Sequence, residues 1–342
     1  MTQVVECNGK EILVRSKEDE VTNFSYLDVI EKVDVFPVNY NTSEHFRANV
    51  YMLQSHTGIE IGFVLKLVLG EIRKYGGKVV SELFDIDDGS HVIRIKPESF
   101  NTRTELMDQL CRALKVKSSL NCIKTWREEK YAVYVDHAPY ILIERGLSGA
   151  FGIITYGVHV NGFFKDSATG HLRIWIPRRS ASKSTWPSML DNIVAGGIGY
   201  PCGIYETVLK ECMEEASLSK DDVERNIKSV GSVSYFHHQV TFGEQKYLDE
   251  EAFITGEVEY LYDLELPPTV KPIPNDGEVE EFGLYSLQET INAIKRNEFK
   301  PNCALVMVEF LIRHGYITPE NEPNYTAILS RMHRRLPFPL MR

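Results

Sequence analysis

The 342-residue sequence contains no apolar run approaching the roughly 20 residues that a membrane-spanning helix needs. The first residues, 1–6, lack a basic stretch followed by an apolar one, so no signal peptide is expected. Low-complexity tracts and internal repeats are absent as well. These absences predict a soluble globular protein of the cytoplasm, or also of the nucleus, that makes no contact with a membrane.

Positive charge is scarce relative to negative charge, since 38 Lys and Arg residues face 48 Asp and Glu residues and the formal net charge is −10. A protein that binds the phosphate backbone of nucleic acids normally presents a basic face, so this class is disfavoured. A small anionic substrate remains compatible, because a bound metal ion and a few Arg or Lys side chains can reverse the sign inside one pocket. The GxxxxGK[ST] loop is missing too, which argues against a kinase.

Cysteine is also sparse, with six scattered residues and no CxxC pair. This pattern favours reduced, mostly buried thiols over disulfides or a zinc site. Cys202 lies beside a glycine-rich stretch, but no histidine is near it in sequence. We therefore do not expect it to act as a nucleophile.

The N-terminal part, residues 1–140, shows signals for both helices and strands. Apolar residues recur every three or four positions over 61–75, which predicts a helix. Asp87-Asp88-Gly89 marks a hairpin within 81–95. Thr102 and Glu105 form a capping-box pattern before an apolar stripe, which predicts the start of another helix. A smaller mixed α+β domain is expected here.

Beyond a break in pattern between 135 and 148, residues 141–342 are expected to form a second domain. Val, Ile and Tyr are enriched in the segments predicted as strands: 131–135, 140–143, 152–160, 172–176, 232–240, 252–258 and 282–285. Helices are predicted at 205–216, 287–296, 303–314 and 325–334. Strands around one central helix, followed by closing helices, indicate an α/β/α sandwich.

Three carboxylates in the helix predicted at 205–216 carry the strongest functional signal. Glu211, Glu214 and Glu215 are spaced by three and four, so they share one helix face and repel one another. A divalent cation would remove this repulsion, and hard cations such as Mg²⁺ prefer carboxylate oxygens. A solvated acidic face is the structural alternative. The glycines before the helix favour the metal site, because Gly196 and Gly197 could let backbone N–H groups approach an anion.

This stretch resembles the Nudix box, whose pattern is G-x5-E-x7-R-E-U-x-E-E-x-G-U. The match places Gly196, Lys210, Glu211, Cys212, Glu214, Glu215 and Leu218 on pattern positions. Three positions depart from the pattern: Cys202 replaces its first, isolated glutamate, Lys210 replaces its arginine, and Ser217 replaces its second glycine. Glu206, one turn into the helix, could supply the missing carboxylate and pair with Lys210 as a brace for the metal ligands.

The resemblance extends to the segments 126–131, 156–162, 173–191 and 275–282. Together they are similar to the fungal and plant Nudix subfamily labelled thiamine pyrophosphokinase-related, which has a yeast member and carries an extra N-terminal domain. The resemblance implies a Mg²⁺- or Mn²⁺-dependent diphosphatase. Its implied substrates are thiamine diphosphate and the oxidised analogues oxothiamine and oxythiamine diphosphate, converted to monophosphate and phosphate as a form of metabolite damage control.

Individual roles follow from the same resemblance. Glu211 and Glu215 are expected to bind the metal, and Glu214 to be a third ligand or to activate water. A carboxylate from a later loop is expected to complete the site, with Glu278, Glu280 and Glu281 as candidates and Glu280 favoured. The remaining candidates, with ordinary surface or packing roles as alternatives, are Arg178, Arg179 and Lys183 for phosphate and Trp186 for ring stacking.

Two other functions stay open. The departures at Cys202, Lys210 and Ser217 are compatible with a Nudix-fold binding or regulatory protein that has weak or no hydrolase activity. Isopentenyl diphosphate isomerase shares the fold, but the cysteine-containing segment it needs on a strand is not found. The residues leave open whether the N-terminal domain shapes the pocket, supports a homodimer or does neither.

Overall fold

The computed structural model describes residues 2–183, 185–238 and 253–341. The helices are α1 (Lys17–Thr22), α2 (Leu27–Ile30), α3 (Glu44–Asn49), α4 (Lys66–Tyr75), α5 (Lys78–Leu83), α6 (Phe100–Lys117), α7 (Ile204–Ala216), α8 (Lys220–Asn226), α9 (Leu287–Lys295), α10 (Pro301–Arg313) and α11 (Tyr325–Met332). Within the described ranges, no helix is long and apolar enough to cross a membrane.

In the described part of the chain, the strands fall into four sheets. They are β1 (Gln3–Cys7), β2 (Lys10–Val14), β3 (Val50–Gln54), β4 (Glu60–Leu65), β5 (Phe84–Asp87), β6 (Val92–Ile95), β7 (Lys130–Val135), β8 (Ala138–Glu144), β9 (Ile154–Lys165), β10 (Leu172–Arg179), β11 (Val194–Gly197), β12 (Ile227–His238), β13 (Ile254–Glu265) and β14 (Val279–Ser286). β1 pairs with β2 and β7 with β8, while β4-β3-β6-β5 form a four-stranded sheet.

The largest sheet has six strands and positions the candidate site. Its order is β12-β13-β9-β10-β14, and β11 pairs with β9. β13 runs parallel to β9 along one edge of β9. The other edge of β9 is shared by two strands, because β11 pairs with residues 157–160 and β10 pairs with residues 162–165. As a result, Gly157 on β9 lies between Glu259 on β13 and Gly197 on β11.

Both faces of this sheet are covered. On one face, Tyr156 and Val158 pack with Val208 and Cys212 of α7, in a core that continues into the four-stranded sheet. The other face packs against α9, α10 and α11, for example through Ile174. The predicted α/β/α sandwich with a preceding mixed α+β region is therefore confirmed.

Most predicted elements are present, and the differences have local causes. Residues 60–65 form strand β4 instead of the first half of a helix, because they pair with β3 and are buried on both faces. The helix predicted from Thr102 begins at Phe100, and Ser99 precedes it as the cap position. The predicted strands 232–240 and 252–258 extend into residues outside the described ranges, and their described parts belong to β12 and β13.

Residues 2–34 pack against the C-terminal half of the chain. Asp34 Oδ1 accepts a hydrogen bond from Arg334 at 2.9 Å, and the Tyr26 N–H donates to Glu322 at 2.9 Å. Tyr26, Val29, Ile30 and Val33 join the core beneath α10. The predicted boundary between residues 140 and 141 falls inside β8. The division into domains 1–140 and 141–342 stays a prediction.

Candidate active site

Helix α7 is built to expose acidic residues on one side and bury apolar ones on the other. Val208, Cys212 and Ala216 are spaced by four and are buried. The helix begins after Gly203, whose N–H donates to the Glu206 carboxylate at 3.2 Å. It ends at Ser217, which takes a left-handed conformation with φ 53°. The acidic residues of the last two turns therefore face β11 and a cavity beside it.

Two of these carboxylates are held close to the backbone of β11. The Ala195 N–H donates to Glu215 Oε2 at 3.1 Å. A Cβ at Gly196 would lie 2.6 Å from the Glu211 carboxyl carbon, so only glycine allows this approach. Burial raises the pKa of Glu211, and burial with the charges of Asp191 and Glu211 raises the pKa of Glu215 well above its usual value. Glu211 is partly compensated by Lys210, whose Nζ lies 3.6 Å away, whereas Glu215 has no salt-bridge partner among the described residues.

The cavity has a volume of about 380 Å³ and is strongly polar. Its acidic lining consists of Glu129, Glu211, Glu214, Glu215, Glu257, Glu259, Asp276 and Glu278. Its basic lining consists of Arg127, Arg145, Arg179, Lys183, Lys210 and Lys300. Among the described residues that line the cavity, acidic groups outnumber basic ones, although the expected substrate is itself an anion. A bound cation would correct this imbalance.

The later-loop carboxylates that reach the cavity are Asp276 and Glu278. Each offers an oxygen within 4.8 Å of the other and of Glu215. Glu280, the residue favoured from the sequence, is exposed and does not line this cavity. The physical reason is a bulge, because Arg178 pairs with Glu281 but Arg179 pairs with Val279, which leaves Glu280 unpaired in the ladder.

The three basic residues predicted to grip phosphate have different positions. Arg178 and Arg179 are neighbours on β10 and so point to opposite faces. Arg178 donates to the Ser188 carbonyl at 2.8 Å and lies outside the cavity lining. Arg179 lines the cavity but is fixed by Asp191 at 2.7 Å. Lys183 lines it as well and forms an ion pair with Glu278.

Trp186 lies away from this cavity. Arg179 holds the carbonyls of Thr185 and Trp186, each at 3.0 Å, and so fixes the loop. The Trp186 side chain lines a separate, largely apolar cavity together with Met189 and Phe299. In this arrangement it does not stack on a ring bound next to the acidic cluster.

The predicted brace between Glu206 and Lys210 is replaced by other contacts. Glu206 caps the start of α7, while Lys210 Nζ lies 3.6 Å from carboxylate oxygens of both Glu211 and Glu214. Glu129 also contributes to the field at Lys210, although it precedes β7. Glu129 accepts a hydrogen bond from Arg145 at 2.7 Å and packs against Gly199. Glu129 lies far from the Nudix-box residues in the sequence, and only the fold places it next to Lys210.

The similarity to known proteins covers nearly the whole chain. A family described as "Domain of unknown function (DUF4743)" matches residues 33–155. An uncharacterized protein of Saccharomyces cerevisiae is 53% identical over 333 residues, 97% of this chain and 97% of that protein. Nudix hydrolase 20, a chloroplastic protein of Arabidopsis thaliana, is 34% identical and is matched over 92% of this chain and 84% of its own length.

A second chloroplastic protein of Arabidopsis thaliana, Nudix hydrolase 24, is 33% identical over 91% of this chain and 84% of its own length. The aligned regions include the acidic helix and the region before it. The chain therefore belongs to the Nudix hydrolase family, whose members act on diphosphate bonds and generally use divalent metal ions.

Proposed function

We propose that this protein hydrolyses thiamine diphosphate and its oxidised analogues, oxothiamine and oxythiamine diphosphate, to the monophosphate and phosphate. The observation that carries the hydrolase part is the convergence of Glu211, Glu215, Asp276 and Glu278 with basic residues in one cavity. The choice of the thiamine group rests on the resemblance of the segments 156–162, 173–191 and 275–282 to the thiamine pyrophosphokinase-related subfamily.

The residues present fit a divalent metal ion. Glu215, Asp276 and Glu278 offer oxygens within 4.8 Å of one another, and Glu211 lies one turn before Glu215 on the same helix face. Buried carboxylates without a compensating charge are costly, and hard oxygen donors suit Mg²⁺ or Mn²⁺. Glu211 and Glu215 would hold the ion, with Glu278 as a further ligand. When bound, the ion neutralises the diphosphate and lowers the pKa of a water molecule.

The chain's own residues would bind and orient the diphosphate. Lys210, Lys183 and Arg145 line the cavity and can donate to phosphate oxygens. Hydrolysis adds one water across the P–O–P bond: the water oxygen joins one phosphorus, and the bridging oxygen leaves with the other. The proton released by the water needs a carboxylate acceptor. We assign this role to Glu214, whose side chain is 52% exposed at the edge of the cluster.

The test is release of phosphate and monophosphate from thiamine diphosphate, its two analogues and several nucleoside diphosphates, with Mg²⁺ or Mn²⁺. Glu211→Gln and Glu215→Gln should each lower kcat by at least about 100-fold, because each replaces a negatively charged carboxylate ligand of the metal by a neutral amide. Glu224→Gln, on exposed α8, is the matched control and should be unchanged. Wild-type release no greater than that of Glu215→Gln would refute the hydrolase. Release from nucleotides alone would refute only the thiamine assignment.

A Nudix-fold binding or regulatory protein is the second candidate, and one observation favours it. Lys183 pairs with Glu278, so a lysine already compensates one carboxylate of the cluster. Under this alternative, calorimetry would detect binding of thiamine diphosphate while phosphate release stays at the level of Glu215→Gln. Substantial turnover by the wild type would exclude it.

A further inference from the structure

A second pair of carboxylates lies on the inner side of the same cavity, on β13. Glu257 and Glu259 are two residues apart on this strand and therefore on one face of the sheet. Both line the cavity, and Glu259 is only 5% exposed. They are not part of the acidic cluster around Glu215, which among the described residues comprises Asp276 and Glu278. They lie on the central sheet, away from the helix α7 that carries Glu211 and Glu215.

One oxygen of this pair is left without a donor. Glu259 Oε1 accepts a hydrogen bond from Tyr235 at 3.3 Å and lies 3.6 Å from His159 Nε2. Glu259 Oε2 is buried and receives no hydrogen bond from an N–H or hydroxyl group in the described ranges, while the carboxyl groups of Glu257 and Glu259 are hydrogen-bonded to each other. Leaving a buried carboxylate oxygen unpaired is costly, because the oxygen loses its hydration and gains no hydrogen bond in exchange. Such an oxygen inside a cavity indicates a partner that arrives with the ligand.

The neighbouring residues keep Glu259 ionised and in place. His159 Nδ1 lies 2.7 Å from Asn192 Oδ1, which turns Nε2 toward Glu259. Burial alone would raise the pKa of Glu259, but the charge of His159 holds it below its usual value. Burial and Glu259 raise the pKa of Glu257 to about 7. Glu259 is thus the charged member of the pair and can only accept hydrogen bonds.

Gly157 provides the space that Oε2 occupies. It is the direct neighbour of Glu259 across the parallel pair β9–β13, and a Cβ at this position would overlap Oε2. Gly157 lines the cavity together with the aromatic residues Tyr131 and Tyr156. Tyr156 precedes Gly157 on β9 and points to the opposite face of the sheet. The hydroxyl of Tyr131 lies where a Cβ of Gly197 would be, and Gly197 pairs with Gly157. The unpaired oxygen is therefore on the same side as the aromatic ring of Tyr131, which can contact a flat ring.

We propose that Glu259 Oε2 accepts a hydrogen bond from an N–H group on the heteroaromatic ring of the substrate and so selects ring-bearing diphosphates over simple ones. Glu259 is thereby a specificity residue and not a metal ligand. This inference rests on the proposed diphosphatase function, because it assigns the organic end of the same cavity. Sites built to hydrogen-bond a substrate group discriminate strongly against analogues that lack it, since the buried site group is then left unpaired.

The test compares Glu259→Gln with wild type on thiamine diphosphate and ADP, which both carry a ring amino group, and on methyl diphosphate, which has no ring. For the ring-bearing substrate that the wild type cleaves best, kcat/KM should fall at least about tenfold, mainly through KM, because a charge-assisted hydrogen bond is lost. Cleavage of methyl diphosphate should be unchanged. Gly157→Ala, which displaces Oε2, should reproduce the selective loss. Glu265→Gln, at the exposed end of β13, is the control.

Each possible result of this test either supports or overturns the role proposed for Glu259. Equal losses on all substrates would mean a structural role and would overturn the proposal, as would no loss on any. A wild type that cleaves ADP but not thiamine diphosphate refutes the thiamine assignment only, and Glu259 is then judged on ADP. If the wild type cleaves nothing, the hydrolase proposal fails. Calorimetry with AMP and thiamine monophosphate then decides on Glu259, and unchanged affinity in Glu259→Gln, or no binding to the wild type, overturns it.

Discussion

Glu129 occupies a position next to the acidic helix that no part of the box pattern predicts. Cys202 stands where the pattern has its isolated glutamate, and Glu206 is committed to capping α7. Glu129 instead acts on Lys210 through its charge and is held by Arg145. A carboxylate from the chain before β7 thus supports the basic residue that contacts Glu211 and Glu214.

Replacing Glu129 and Glu206 by glutamine, one at a time, should separate their roles. Glu129→Gln should lower kcat about tenfold or more, since residues that orient metal ligands typically contribute 10–100-fold. Glu206→Gln should leave kcat within about twofold and lower the free energy of unfolding by roughly 0.5–1 kcal/mol, because it weakens a helix cap. Steady-state kinetics and urea unfolding on both variants make the comparison. A large kcat loss in Glu206→Gln with normal activity in Glu129→Gln would contradict this assignment.

Ser217 gives a second prediction at a single residue. It ends α7 with φ 53°, a conformation that costs an L-residue roughly 1 kcal/mol and glycine almost nothing. Ser217→Gly should therefore raise the free energy of unfolding by about 0.5 kcal/mol, after the added flexibility of the unfolded chain is counted. Ser118→Gly is the control, because Ser118 ends α6 at φ −81° and should lose stability instead. A loss of stability in Ser217→Gly would show that its backbone is not strained.

The sequence identifies some site residues well and others not at all. The shared face of Glu211 and Glu215 follows from helix spacing, which α7 keeps. The sequence favours Glu280 over Glu278, but the bulge in β14 that decides their positions depends on pairing with β10. Glu259 becomes recognisable only once β13 lies beside Gly157. Residues brought together by strand pairing leave no local signal.

At the scale of elements, α10 is tied to the central sheet by a cluster of charges. Arg313 donates two hydrogen bonds to Asp263 of β13, at 2.5 and 2.9 Å, and also contacts Glu309 one turn earlier. His314 Nε2 lies 2.8 Å from the same aspartate. Burial alone would raise the pKa of Asp263, but these donors lower it. The cluster therefore stabilises the packing of α10 when Asp263 is ionised.

Asp263→Asn should lower the free energy of unfolding by about 2 kcal/mol at neutral pH, since it removes charge-assisted hydrogen bonds in a largely buried position. The pKa of Asp263 is lower in the folded protein, so this stability is present above the unfolded value of about 3.9 and is lost as the pH falls through the folded value. Urea unfolding from pH 7 to pH 3 should show the two proteins converging at low pH. Asp28→Asn, at an exposed aspartate, serves as control. A difference that grows toward low pH would contradict the assignment.

The segment 61–75 shows why one prediction of an element failed. Its apolar residues follow a helical period, yet Ile61, Val64 and Leu65 are buried in a strand. A strand buried on both faces has no polar alternation, so its sequence is not distinguishable from a buried helix by period alone. Pairing with β3 decides the outcome, and this partner is not evident from the local sequence.

At the scale of the whole molecule, the N-terminal part is integrated with the catalytic half on both sides of the central sheet. The ring centroid of Phe63 of β4 lies 4.8 Å from that of Phe338, near the C-terminal end, and 6.1 Å from that of Phe236 of β12, with the rings tilted by 56° in both pairs. On the other face, Asp19 pairs with Lys295 of α9. Glu129, which reaches the cavity, also comes from this part of the chain. The contacts indicate one cooperative structure.

We therefore expect the segment 141–342 alone to fail to form a stable fold. The cut would divide β8 and remove the aromatic contacts of Phe63. It would also remove Asp34, the ion-pair partner of Arg334, whose side chain is only 11% exposed. Exposing such a core costs far more than the roughly 5–15 kcal/mol by which domains are stable. The full chain should unfold in urea in one transition, with circular dichroism and tryptophan fluorescence coinciding. A cooperative transition of the isolated segment, with retained phosphate release, would show instead that the two halves fold independently and that Glu129 is dispensable.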